Sequence, residues 1–173
     1  MAYTIPKNSI INRSIKKLDY FDSYTIPLPD KEEYTTDYLT ARIFNTSSKW
    51  EIYLMKLRNA IVKPFGLKTE EYNEGNVSTI KSNYENGDKI SLFTVLYRNE
   101  NEIVMSGDDK HLYFRTSVMK ESAENNQINV HLTTIVIFHN IFGKIYFFFV
   151  KPFHRLIVQN SLKLFLKSET KNG

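Results

Sequence analysis

Cysteine is absent from this chain of 173 residues. Its absence excludes a disulfide framework, a thiolate zinc site, an iron–sulfur cluster and a cysteine nucleophile, and it fits a reducing compartment. The sequence also has no GxSxG nucleophile elbow, phosphate-binding loop, HExxH metal motif or glycine-rich dinucleotide fingerprint. We therefore expect neither a metal ion nor an organic cofactor.

Long apolar runs are missing as well. Residues 1–20 contain no apolar core of the signal-peptide kind, which argues against secretion. The most apolar segment, Ile135–Val150, is interrupted by polar residues. Its longest clean run is Ile145–Val150, whereas a membrane span needs about 20 apolar residues. We expect a cytoplasmic protein without a transmembrane segment.

Aromatic side chains are abundant, at 14% of residues, with 12 Phe and 11 Tyr. The formal charge is +4, and residues 141–173 carry five Lys and one Arg against one Glu. Such a surplus can mark a nucleic-acid or anionic-membrane surface. Because the cations are spread along a predicted helix and no RNA-recognition motif is present, the pattern favours a solvated helix face. We expect no nucleic-acid partner.

The length predicts a single domain. Residues 1–33 hold three of the five prolines and predict an extended N-terminal arm that packs on the domain. The domain itself is expected at 34–168, and 169–173 predict a frayed tail.

The order of elements predicts a mixture of helices and antiparallel strands. Tyr38–Asn45 is rich in strand-forming residues and predicts a strand. A capping-box pattern at Ser48 and Glu51 predicts a helix that ends at Pro64, and residues 67–87 predict a polar loop. Four antiparallel strands follow, with a turn at 106–109: Ile90–Arg98, Glu102–Met105, His111–Met119 and Ile128–Phe138.

A long helix at about 142–167 ends the pattern. Pro152 should kink or split it. Together the elements predict an α+β fold, in which a curved antiparallel sheet wraps around the C-terminal helix and leaves a space lined by aromatic side chains. The helical periodicity predicts an apolar stripe on this helix, made of Ile145, Phe149, Phe153, Leu156, Ile157 and Leu164.

Three segments resemble a known family: KLRNAIVKPFGL (56–67), GDDKHLYFRTSV (107–118) and LTTIVIFHNIFGKIYFFFVKPFHRLIV (132–158). It is an uncharacterised bacterial domain family that looks like a branch of the START-like, or SRPBCC, helix-grip superfamily. Its members also occur fused behind NAD-binding domains of the short-chain-dehydrogenase type. The resemblance implies a helix-grip fold with a deep apolar pocket for lipids, polyketides or other hydrophobic small molecules. It implies no catalytic set, and this chain is too short to contain a second, cofactor-binding domain.

One candidate polar cluster consists of Asp108, Asp109 and His111. A carboxylate beside a histidine can form a general base. Aspartates after a glycine more often form a turn, however, and Arg115 is then expected in a salt bridge across the sheet.

A second candidate group lies at the predicted junction between the last strand and the last helix. His139, Asn140, His154 and Arg155 could cover the pocket and bind an acidic or carbonyl head group. Alternatively, they could cap the junction and satisfy backbone groups around the kink at Pro152. The candidate ligand contacts are Tyr113, Arg115, His139, Asn140, Phe149, Phe153 and His154.

The sequence favours a protein that binds a hydrophobic or amphipathic small molecule between its sheet and its C-terminal helix. A small enzyme that performs proton transfer on a carbonyl or polyketide-like substrate is the first alternative, and the lack of a catalytic motif counts against it. A packed structural or interaction domain without a ligand is the second alternative.

Overall fold

The structure, a computed structural model, describes residues 4–45, 81, 83–90, 93–108 and 110–171. It confirms an α+β fold with a curved, unclosed antiparallel sheet of six strands and a long C-terminal helix. The strands are β1 (Tyr20–Pro29), β2 (Lys89–Ile90), β3 (Phe93–Arg98), β4 (Glu102–Asp108), β5 (Leu112–Ala123) and β6 (Gln127–Phe138). The helices are α1 (Thr36–Asn45) and α2 (Ile141–Lys171). The helix predicted from Ser48 and most of the loop predicted at 67–87 lie outside the described residues.

The strand order in the sheet is β1-β6-β5-β4-β3-β2, and each neighbouring pair is antiparallel. Strands β2 to β6 are neighbours both in sequence and in space, and only two or three residues separate each strand from the next. In the β3–β4 turn, the Asn99 N–H donates to the Glu102 carbonyl oxygen at 2.9 Å. The Asn101 N–H donates to Asn99 Oδ1, also at 2.9 Å, so the asparagine side chain stabilises the predicted turn.

Two strand predictions were wrong in their boundaries. The predicted strand Ile90–Arg98 is two strands, because Ile90 ends β2, Phe93 begins β3, and the two strands pair antiparallel with each other. The turn predicted at 106–109 does not form at its first three residues, because β4 continues to Asp108 and pairs with β5. A glycine suits position 107 of this strand, because the ring of Phe114 occupies the space where the Cβ of any other residue would lie.

β1 belongs to the segment predicted as an extended arm, and it forms one edge of the sheet by pairing with β6. Its two prolines, Pro27 and Pro29, fit an edge strand because they have no N–H to donate. The Asp30 N–H donates to the Asn126 carbonyl oxygen at 2.9 Å. Backbone groups alternate in direction along a strand. The nitrogens of both prolines therefore point away from β6, and no pairing hydrogen bond is lost.

Tyr38–Asn45 was wrongly predicted as a strand and forms most of α1. Thr35 caps the helix, since its Oγ1 accepts a hydrogen bond from the Tyr38 N–H at 3.1 Å. Leu39 and Ile43, four residues apart, are buried together in the main core. This packing outweighs the strand propensity of the segment's β-branched and aromatic residues.

Both helices pack on one side of the sheet, here called the helix-facing side. Leu162 and Phe165 of α2 are buried there with Leu39 of α1. The strands contribute buried residues to the same core: Tyr24, Ile26, Leu28, Val118, Ile128, Val130 and Leu132. The main core therefore lies between the C-terminal half of α2, α1 and strands β1, β5 and β6.

The segment before β1 packs on the opposite, outer side of the sheet. Ile11 is fully buried there in a cluster with Ile135. The buried carboxylate of Glu102 accepts hydrogen bonds from the Ser9 hydroxyl and the Ile10 N–H, both at 2.7 Å. The segment is thus held by charge-assisted hydrogen bonds as well as by apolar contact.

α2 is a single helix from Ile141 to Lys171, so Pro152 does not split it. Within the described part of the chain, no helix is both long and apolar enough to cross a membrane. The apolar stripe predicted for this helix is not its buried face, because Ile145, Phe149 and Leu156 are exposed. The large apolar side chains that α2 buries are those of Phe147, Leu162 and Phe165.

A buried glutamate near the end of α2 joins this helix to α1. Glu169 accepts hydrogen bonds from Tyr34 at 3.0 Å and Tyr38 at 3.4 Å, and it pairs with Arg42 at 3.3 Å. Burial, and then the hydrogen bond to Glu169, raise the pKa of Tyr34 to about 12. The tyrosine therefore stays protonated in the folded protein well above the pH at which a free tyrosine ionises.

We expect the stabilising contribution of Tyr34 to disappear at alkaline pH. In the unfolded chain Tyr34 ionises near its ordinary pKa of 10, whereas in the folded protein it ionises near 12. Its contribution is complete below pH 10 and is lost as the pH rises toward 12, because ionisation then favours unfolding. Urea unfolding of the wild type and Tyr34→Phe at several pH values measures this difference. Parallel pH profiles of the two proteins would contradict the prediction.

Candidate functional site

A row of three polar side chains crosses the helix-facing side of the sheet. Asp22 of β1 lies opposite Thr134 of β6, which in turn lies opposite Thr116 of β5. These three residues, here called the polar row, are 1%, 6% and 5% exposed. The main core lies on one side of the row, and a separate apolar cluster that includes Leu112 and Phe147 lies on the other. Buried polar groups thus interrupt the apolar interior between sheet and helix.

Two side chains hold the carboxylate of Asp22. The Tyr20 hydroxyl donates to Asp22 Oδ2 at 2.7 Å, and Nε2 of His154 lies 3.2 Å from the same oxygen. Tyr20 and Asp22 are two positions apart on β1, so both side chains face α2, which carries His154. The Asp22 side chain is 1% exposed and that of His154 is 22% exposed. Tyr20, Asp22 and His154, here called the Asp22 cluster, thus extend from the interior to the solvent.

Cations on α2 surround the ring and hydroxyl of Tyr20. Arg155 Nε donates to the Tyr20 hydroxyl at 3.4 Å, and Lys151 Nζ lies 4.8 Å from the ring centroid. Burial, and then the hydrogen bond to Asp22, raise the pKa of Tyr20 above its ordinary value. The hydrogen bond to Tyr20 raises the pKa of Arg155. Tyr20 is therefore a protonated hydrogen-bond donor at neutral pH, and Arg155 is a permanent cation.

Three aromatic rings in contact lead from α1 across the sheet to Phe114, which lies beside the polar row. Phe44 of α1 meets Phe93 edge to face, with ring centroids 5.2 Å apart. Phe93 meets Phe114 of β5 in the same way at 5.7 Å. Phe114 precedes Thr116 by two positions and therefore faces the same side of the sheet. Apolar ring surface thus lies beside the buried hydroxyl of Thr116.

The junction between β6 and α2 brings together residues from both predicted polar groups. His139 Nε2 lies 2.8 Å from Asp108 Oδ1, and His111 Nδ1 lies 3.3 Å from Asn140 Oδ1. The side chains of His139 and Asp108 are 40% and 67% exposed, so this cluster lies at the surface. Asp109, the third residue of the predicted cluster, lies outside the described residues.

Asn140 caps the first turn of α2. Its Oδ1 accepts a hydrogen bond from the Gly143 N–H at 3.0 Å, and its Nδ2 donates to the Lys110 carbonyl oxygen at 3.0 Å. These contacts are those of a helix N-cap that also ties the helix to the β4–β5 turn. They correspond to the structural interpretation of this residue given by the sequence.

Tyr113 and Arg115 lie on the outer side of the sheet, opposite the Asp22 cluster. Arg115 donates to the carbonyl oxygens of Ile11 at 2.8 Å and Arg13 at 2.6 Å. It also donates to the Tyr113 hydroxyl at 2.7 Å. Arg115 therefore fixes the N-terminal segment, and the salt bridge across the sheet predicted for it is replaced by bonds to backbone carbonyls.

The predicted residues on α2 are divided between different surroundings. His154 and Arg155 contact β1 and not the His139–Asn140 pair with which they were grouped. Phe153 is half-buried, whereas Phe149 is 48% exposed. The helix thus contributes His154 to the interior and an aromatic side chain to the surface.

Asp22 and Tyr20 are not among the site residues that the sequence predicts. Both belong to a segment whose prolines predict an extended arm, so the sequence gives them no expected partner across the sheet. The sequence does carry a signal for Asp22. In the run Tyr20–Tyr24, every second residue would lie on the same side of a strand, and this places Asp22 between two tyrosines, Tyr20 and Tyr24.

The Asp22 cluster can orient a polar group and can move a proton. A buried carboxylate beside an imidazole fixes the orientation of the ring, which a general base requires. Because His154 is partly exposed, its ring is accessible from solvent while Asp22 is not. Among the residues the structure describes, no group of three His, Asp or Glu side chains could hold a metal ion.

Most of the chain matches a known protein family. The family described as "Protein of unknown function (DUF2867)" matches residues 14–161, which is most of the chain and includes every residue of the Asp22 cluster. No curated protein matches the sequence.

Proposed function

The chain belongs to this family of unknown function, and from its own side chains we propose that it binds a hydrophobic or amphipathic small molecule. The ligand lies between the helix-facing side of the sheet and α2. Its apolar part contacts aromatic side chains, and its polar end is held by the Asp22 cluster. The sequence resemblance to the START-like helix-grip superfamily supports this assignment, and the absence of cysteine supports a cytoplasmic location.

The observation that carries the proposal is the polar row between two apolar clusters. Burying a polar group inside an apolar core costs stability unless a hydrogen bond compensates it. A core selected only for stability favours apolar residues at such positions. Asp22, Thr134 and Thr116 instead form a polar line at the level where His154 projects from α2. This arrangement is typical of ligand sites, which combine apolar walls with a few convergent polar groups.

Two neighbouring threonines of β6 provide a matched test. Thr134 belongs to the polar row, whereas Thr133 faces the outer side and bonds Ser23 at 2.8 Å. We expect Thr134→Val to weaken binding of a fluorescent fatty acid, cis-parinaric acid, by roughly two- to ten-fold, the value of one hydrogen bond. Thr133→Val should leave the affinity unchanged. Fluorescence titration measures both dissociation constants.

Native mass spectrometry of the purified protein, before and after extraction with organic solvent, supplies the second arm of the experiment. A small molecule that leaves on extraction and then competes with the fatty acid would identify the ligand class. Equal affinities of Thr134→Val and Thr133→Val, or no binding of the fatty acid by the wild type, would overturn the proposal.

A second candidate function is proton transfer on a carbonyl compound. The contact that favours it is the 3.2 Å distance between Asp22 Oδ2 and Nε2 of His154, which resembles a carboxylate–imidazole general base. The base would take a proton from the carbon next to the carbonyl, and the Tyr20 hydroxyl is placed to interact with the polar end of the substrate. This function requires turnover, whereas ligand binding alone does not.

Deuterium exchange separates the two functions. If the pair acts as a base, a bound carbonyl compound incubated in D₂O gains deuterium at the carbon next to the carbonyl, and Asp22→Asn abolishes the exchange. Asp19→Asn is the matched control. The Asp19 carboxylate accepts a hydrogen bond from the Phe138 N–H at 2.9 Å, at the end of β6. Among the described contacts, Asp19 makes none with His154. If the compound binds but gains no deuterium, the protein binds it without catalysing proton transfer, and the enzymatic function is excluded for that compound.

A further inference from the structure

The first half of α2 exposes large apolar side chains to solvent. Phe148 is 73% exposed, Ile141 is 62% exposed and Phe142 is 57% exposed. Scattered apolar residues are ordinary on protein surfaces, but a contiguous apolar patch usually marks an interaction site. The patch, here called the α2 apolar face, consists of Ile141, Phe142, Ile145, Phe148, Phe149 and Leu156.

These residues form one continuous surface along the helix. Ile141, Ile145 and Phe148 are separated by four and three positions, the spacing that places side chains on one face of a helix. From Ile141 to Leu156 the helix is about 24 Å long at 1.5 Å per residue. In the second half of α2, the exposed positions include the lysines Lys163 and Lys167 instead. The apolar face is therefore confined to the first half.

Cations border this face. Lys144 and Arg155 are exposed on the same half of the helix, and Lys151 is half-buried beside them. The sequence contains no Asp or Glu from residue 125 to residue 168. The nearby Asp19 is occupied by Lys17 at 3.0 Å and by a backbone N–H. The apolar face thus has a border of positive charge.

We propose that the α2 apolar face docks on the surface of an anionic lipid membrane, with the helix lying parallel to the membrane plane. Large apolar side chains bordered by lysine and arginine form the pattern of helices that bind at a lipid interface. Phe148 and its neighbours enter the boundary between head groups and acyl chains, while Lys144 and Arg155 contact anionic head groups. The proposal does not depend on the ligand site described above.

Charge favours a membrane over a second copy of this chain. A two-fold contact between identical apolar faces would place the Lys144, Lys151 and Arg155 side chains of both copies close together, with no acidic residue of this helix segment between them. An anionic membrane neutralises the same charges, and each Lys or Arg near such a surface adds to the affinity.

Vesicle flotation tests the proposal. The full chain is mixed with vesicles of phosphatidylcholine alone or with 30% phosphatidylglycerol, roughly the anionic fraction at which surface charge attracts basic proteins. We expect the wild type to bind the anionic vesicles at least about tenfold more strongly than the neutral ones. Phe148→Glu should reduce binding to anionic vesicles by at least about tenfold, since it removes a phenyl ring that the membrane would bury and adds a negative charge that the anionic head groups repel.

A pair of lysine variants with equal net charge provides the control. Lys144→Gln removes a cation beside the apolar face, and Lys89→Gln removes one from β2 at the opposite edge of the sheet. The first should weaken binding about fivefold and the second by less than about twofold. Equal effects of the two, equal binding to both vesicle types, or unchanged binding of Phe148→Glu would overturn the proposal. A wild-type dimer that Phe148→Glu converts to a monomer would overturn it too and assign the face to self-association.

Discussion

Gly143→Ala should destabilise the protein by about 3 kcal/mol, the upper end of the cost of overpacking. Alanine normally stabilises the interior of a helix relative to glycine, by about 1 kcal/mol. At this position the added Cβ would stand 2.1 Å from the His111 carbonyl oxygen and 2.9 Å from its carbonyl carbon. Both are backbone atoms that cannot rotate away. The first turn of α2 would therefore have to move away from the β4–β5 turn.

Urea unfolding at neutral pH measures this effect, and Lys163→Ala is its control. Lys163 is exposed on the same helix, so this second alanine reports the effect of the substitution without the clash. Its stability should stay within about 0.5 kcal/mol of the wild type. A Gly143→Ala protein as stable as the control would show that the helix does not approach His111 as closely as described.

Asp37→Ala should destabilise the protein by about 3 kcal/mol, the lower end of the cost of breaking a buried ion pair. The buried carboxylate of Asp37 makes a two-pronged pair with Arg98, at 3.1 Å and 3.0 Å. It also accepts a hydrogen bond from the Tyr84 N–H at 2.6 Å. Without it, Arg98 loses its anionic partner and a buried N–H loses its acceptor. Because Arg98 is a quarter exposed, water compensates part of this loss.

A surface ion pair of the same type provides the comparison. Lys31 and Glu33 lie 3.6 Å apart with exposed side chains, so Glu33→Ala should cost less than about 1 kcal/mol. In the double variant Asp37→Ala with Arg98→Ala, the two losses should not add, because each single change already removes the pair. Additive losses in chemical denaturation would show that the two side chains do not stabilise each other.

The long strands and the last helix were predictable because their patterns are long and regular. Along β6, Ile128, Val130 and Leu132 alternate with polar residues, and all three are buried in the main core. α1 was not predictable in the same way. Its Tyr, Ile and Phe residues favour a strand in isolation, and only contacts with distant elements make it a helix.

The buried face of α2 could not be chosen from periodicity. In its first half, apolar residues occupy nearly all positions around the helix, from Ile145 to Val150. When a helix is apolar on every side, the distribution of its apolar residues does not indicate which face packs against the sheet. The structure buries Phe147 and exposes Phe148 and Phe149, a difference set by the position of the sheet and not by the side chains themselves.

The Asp22 cluster could be predicted only in part. The sequence marks His154 as a candidate because it lies close to Pro152 and to the predicted junction between the last strand and the last helix. Its partner Asp22 lies 132 positions earlier in the chain, and sequence spacing carries no information about contacts at that distance. The contact requires that β1 pair with β6, a pairing that the prolines of β1 had concealed.

Those same prolines have a consequence for how the protein behaves at high concentration. An unclosed sheet exposes backbone donors and acceptors at its edges, where a strand of another molecule can add and begin an aggregate. At the free edge of β1, the outward positions 27 and 29 carry Pro27 and Pro29, so two successive donors are missing. A strand that approached this edge would find too few hydrogen bonds to stay. β1 thus ends the sheet on this side and resists the growth of fibrils from it.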